Sequence, residues 1–98
     1  MGNNWLDRHT SQAPTALRAR VDQYARASSG PSLPQSLVAA GQAALEQALS
    51  HSGDRTGALD LLAADALITL ALLAQAETAP DSLEELAISI LLASRTDA

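Results

Sequence analysis

The chain has 98 residues, a formal net charge of -5 and no cysteine; 47% of it is hydrophobic but only 2% is aromatic. That length supports one modest core and excludes two domains. The lack of cysteine removes disulfides, thiolate zinc sites and thiol nucleophiles together. Alanine and leucine dominate, with 21 Ala and 17 Leu against 3 Ile and 2 Val, and this balance favours helices over strands.

Residues 1–12 are polar and without period, apart from Trp5 and Leu6, and are expected as a flexible N-terminal segment in which that pair can dock as a hydrophobic peg. The opening stretch has neither a basic n-region nor an apolar h-region, which points to a cytoplasmic protein. From Pro14 to Ala27, Leu17, Val21, Tyr24 and Ser28 recur at helical spacing, while Arg18, Asp22 and Arg26 run down another face. The break Ser28-Ser29-Gly30-Pro31 ends this segment.

Ser32 with Gln35 matches a capping box and predicts a second helix from Leu33 to about Ser50. Its stripe of Leu37, Gly41, Leu45 and Leu49 lies beside Ala40, Ala44 and Ala48, a face small enough for another helix to approach closely. A turn at residues 51–57 carries two glycines, with Asp54 or Thr56 as the N-cap of the next helix. That third helix, from about Gly57 to Ala76, is apolar around nearly its whole circumference, so it belongs at the centre of a bundle or in a bilayer. Asp60 and Asp65 would each cost roughly 2.5–3.5 kcal/mol near a bilayer centre. The burial reading is preferred, and no membrane span is expected. Thr78 or Asp81 is expected to cap a fourth helix from Asp81 to Ser94, again with more apolar residues than one face needs.

Asp81, Glu84 and Glu85 gather at the start of that helix, where carboxylates complement the helix dipole, so no metal site is assigned to them. His9 and His51 are isolated, with no spacing that makes a metal-binding pair. Phosphate-loop, dinucleotide and nucleophile-elbow motifs are absent, so neither catalytic residues nor cofactors are expected. The acidic second half repels phosphate backbones and argues against nucleic acid as a partner. Asp65 and Thr69, four apart, are the expected buried polar pair, or a polar contact across a subunit interface. Asp81-Ser82-Leu83 resembles the Asp-Ser-Leu motif of acyl carrier proteins, whose serine carries phosphopantetheine. Here 16 residues follow Ser82, room for one helix where that family has about two, and Ser82 is read as a cap residue.

The expected fold is an all-α, compact four-helix bundle over residues 13–98, antiparallel with short turns and with the third helix central. Two of the four helices carry surplus apolar surface, which a second chain commonly covers. The expected function is therefore a non-enzymatic association module. It would form a homodimer or dock on another helical protein through Leu72, Leu73, Ile88, Ile90, Leu91 and Leu92. The alternative is a binder of an apolar small molecule, such as a lipid or isoprenoid, in the bundle core.

Overall fold

A computed structural model describes residues 4–95, which form five α-helices and a short 3-10 turn. The helices are α1 (Asn4–His9), α2 (Thr15–Ala27), α3 (Leu33–Ser50), α4 (Arg55–Thr78) and α5 (Leu83–Arg95), with the 3-10 turn at Pro80–Ser82. No strand occurs among the described residues. The radius of gyration is 13.0 Å, close to the ~13 Å of a compact 100-residue domain.

Local chemistry sets the helix ends. Ser32 Oγ accepts from the Gln35 N–H, the N-cap half of the expected capping box, and donates to Gln35 Oε1 side chain to side chain. Asp54, not Thr56, caps α4: its carboxylate accepts from the Gly57 N–H at 2.7 Å. Between them the chain reverses through Gly53, whose φ of +93° lies in the left-handed region that favours glycine. Neither Thr78 nor Asp81 caps the last helix. Thr78 Oγ1 donates back to the Ala74 carbonyl, Ala79 leaves α4, and Pro80 opens the 3-10 turn that leads into α5.

The four-residue connection makes α3 and α4 a hairpin, and small residues let the two backbones come close. A methyl at Gly41 would meet Ile68 Cδ1 at 2.8 Å, and one at Gly57 would collide with the His51 carbonyl oxygen. The buried positions of α4 are Gly57, Asp60, Ala63, Ala64, Leu67, Leu70, Ala71 and Ala74, spaced three and four apart and mostly small. It packs chiefly against α3, and also against α2, α5 and the 3-10 turn.

The structure adds two features to the expected arrangement. The segment ahead of residue 13 is not merely a flexible lead: residues 4–9 are helical, and Leu6 is 3% exposed within the same core cluster as Val21, Leu37 and Leu67. The expected central rod is covered on only part of its circumference. The molecule is a slab of 39 × 34 × 19 Å, about two helix layers thick at interaxial distances of about 8–10 Å. So short a chain cannot wrap α4, and one face of that helix stays open.

Candidate functional site

The open face of α4 carries Ala58, Leu61, Leu62, Asp65, Thr69, Leu73 and Ala76, all exposed, with Leu72 half-buried at its edge. Leu61 and Leu62 expose 54% and 56% of their surface. This arrangement inverts the usual pattern: on α4 the line of small residues is inside and several leucines are outside. Two shallow grooves flank the ridge. One, about 310 Å³, is lined by Gly41, Leu45, Leu61, Asp65, Ile68 and Ile90; the other, about 260 Å³, by Thr10, Leu17, Val21, Asp65, Thr69 and Leu70. Asp65 borders both.

On α5, Leu86 turns inward and is buried, which leaves Ile88, Leu91 and Leu92 on the outer face, with Leu91 64% exposed. Of the residues expected to form an interface, Leu73, Ile88, Leu91 and Leu92 are exposed, while Leu72 and Ile90 are half-buried. Leu49, Leu61 and Leu62 are equally large exposed apolar residues outside that expected set. Their exposure depends on which side of each helix the neighbours occupy, and the periodicity of an all-apolar helix carries no such information.

The expected buried polar pair, Asp65 and Thr69, is exposed, and the buried carboxylate is Asp60. Five positions separate the two aspartates, about 140° around the helix, so when Asp60 faces α2 Asp65 falls on the uncovered side. Asp60 is 1% exposed, and its Oδ1 accepts from Arg20 Nη1 and from the Tyr24 hydroxyl, each at 2.9 Å. Arg20 and Tyr24 stand four apart on α2, so one helical face presents both donors. Burial chiefly, then the hydrogen bond to Asp60 and its charge, push the Tyr24 phenol above its ordinary 10.0, with Arg20 opposing. Asp60 lies in register with Ala63, Ala64, Leu67, Leu70 and Ala71, and that register was the available signal for its burial. The arrangement binds α2 to α4.

A second polar contact holds α1 down. Trp5 Nε1 donates to Glu77 Oε1 at 2.8 Å, the Trp5 and His9 rings stack with centroids 4.1 Å apart, and His9 Nε2 lies 3.7 Å from Glu77 Oε2. His51 stands near its neighbour Asp54 in the α3–α4 turn. Asp81, Glu84 and Glu85 are exposed, with Asp81 in the 3-10 turn and both glutamates in the first turn of α5. No group of three His, Asp or Glu side chains is placed to hold a metal ion among the described residues.

Of the described helices, only α4 is long and apolar enough to cross a membrane, with a mean hydropathy of 1.9 over its best window. A core helix passes the same measure, and 44% of that window is buried here. No protein-family model, curated protein or solved structure matches this chain.

Proposed function

We propose that this protein is a non-catalytic association module whose binding surface is the open face of α4 with the outer face of α5. Its four longer helices, α2 to α5, we read as the short-turn antiparallel bundle expected from the sequence. One observation carries the proposal: Leu61, Leu62, Leu73, Ile88, Leu91 and Leu92 stand exposed while alanines fill the interior of α4. Fully covering a leucine side chain contributes about 1.5–3 kcal/mol, so the lone chain leaves much of its apolar surface unused. Contiguous exposed apolar surface marks interaction sites; here Asp65 and Thr69 are polar positions within the α4 face, and Glu84 and Glu85 stand exposed on α5.

Light scattering behind size exclusion over a wide concentration range, with an apolar-surface dye measured in parallel, tests the reading. Support is an assembly that Leu91→Asp dissociates with helicity retained, since Leu91 is too exposed for its loss to unfold the chain. A protein that stays monomeric and binds no dye refutes it. A second reading, binding of an apolar small molecule, is favoured by the α3–α4 groove of about 310 Å³ and an adjoining one of about 430 Å³ bordered by Leu45, Leu49 and Leu61. Retained non-protein mass in a native mass spectrum supports that second reading.

A further inference from the structure

The open face of α4 has an order that composition alone does not convey. Its members pair by residue type about residue 67: Ala58 with Ala76, Leu61 with Leu73, Leu62 with Leu72, and Asp65 with Thr69. All of these are exposed except Leu72, which is half-buried at the edge of the face. An antiparallel helix pair related by a two-fold axis at the level of residue 67 brings the members of each pair to the same level. Because the axis keeps each flank on its own side, Leu61 meets Leu72 of the other copy and Leu62 meets its Leu73, while Ala58 and Ala76, and Asp65 and Thr69, meet near the middle of the seam.

We infer that the occupant of this face is a second copy of the chain, its α4 crossing antiparallel at residue 67, with Asp65 of each copy accepting a hydrogen bond from Thr69 of the other. This rests on the association reading above and names its partner. The polar residues decide between the possible alignments. A parallel, in-register pair sets Asp65 against Asp65, two like charges in a seam of leucine and alanine. The antiparallel pair moves the two aspartates about 6 Å apart along the axis and gives each carboxylate a hydroxyl donor. Leucine then meets leucine on both flanks, and alanine meets alanine at the ends, where small side chains let the backbones close. The grooves on either side of the ridge, both bordered by Asp65, supply hollows for the partner's side chains.

The absence of cysteine makes the arrangement directly testable, because any introduced thiol is unique. Leu62→Cys and Leu73→Cys are prepared separately, and each is oxidised with diamide alone and as an equal mixture after subunit exchange. In the antiparallel pair, positions 62 and 73 of opposite copies lie on the same flank and about 1.5 Å apart in level, while 62 and 62 are about 15 Å apart along the axis and 73 and 73 about 18 Å, beyond disulfide reach. The expected result is a covalent dimer in the mixture, at the statistical share of mixed pairs, and little in either sample alone. Linking within each single-variant sample, and in the mixture only at the share of same-variant pairs, indicates the parallel pair and overturns the inference. An assembly by light scattering that links in no sample uses another surface; it overturns the inference and leaves the association reading standing. A monomer that binds the apolar dye overturns the second copy as occupant, and a monomer that binds no dye removes both.

Discussion

Removing Arg20 isolates the most deeply buried charge in the described structure. Asp60 is 1% exposed and keeps two donors, Arg20 Nη1 and the Tyr24 hydroxyl, so Arg20→Leu leaves a carboxylate in the core with one neutral partner. Breaking a fully buried pair in this way costs about 3–5 kcal/mol. The Arg20 side chain is 27% exposed, and solvent screens part of the attraction, which places the expected loss near ~3 kcal/mol. Against a total stability of about 5–15 kcal/mol, that is a large fraction, and it lowers Tm by about 12–24 °C for a domain of this size. The reverse change is milder. Asp60→Leu frees a guanidinium that can reach water, and the double variant, with neither charge, returns towards the stability of the wild type. Urea and thermal unfolding at neutral pH, followed by circular dichroism on all four proteins, give the cycle. If Arg20→Leu lies within about 0.5 kcal/mol of the wild type, the variation expected of an ordinary surface substitution, Asp60 does not depend on its ion pair and the account of how α2 is held to α4 fails.

Three further outcomes follow from the same geometry. Tyr24 is the only tyrosine, so tyrosinate absorbance reports it alone: the folded protein should titrate above 10.0 and the urea-unfolded chain near it. Because the folded value is the higher one, this group's contribution to stability is complete below pH 10 and is lost as pH rises through the folded value. Tyr24→Phe should remove that part of the alkaline fall; an unchanged alkaline limb contradicts it. Gly57→Ala should destabilise by about 1–3 kcal/mol or more, because its methyl would strike the His51 carbonyl, whereas Gly41→Ala meets the movable end of Ile68 and should cost less. Equal melting temperatures for the two variants would contradict that ranking. Leu6→Ala should cost about 2–5 kcal/mol if α1 belongs to the core; a melt unchanged from the wild type would return residues 4–9 to a loosely attached lead.

Much of the fold is legible in the sequence because its signals are local. Ser32 with Gln35, the glycine turn before Asp54, and Pro80 are helix-end chemistry that acts over three or four residues, and the structure places helix boundaries at or near each. Two short-range features differ: the last helix is entered through the 3-10 turn and not through a Thr78 or Asp81 cap, and the peg of Trp5 and Leu6 belongs to a helix, α1, fixed by a distant partner, Glu77. Periodicity works where a helix has one apolar stripe, as in α2, and fails on α4, whose residues are apolar in nearly every direction. There the sequence permits either aspartate to face inward. The choice is made by α2, because Arg20 and Tyr24 supply charged and neutral donors to Asp60, while no helix covers the side on which Asp65 and Thr69 lie.

The sequence by itself determines that this protein is helical, where its longer helices break, and that it carries more apolar surface than a chain of this length can hide. Tertiary structure alone decides which apolar surface stays outside. Small side chains allow the closest backbone approach, so α3 and α4 meet through glycine and alanine, and Leu61, Leu62 and Leu73 are left to the open face.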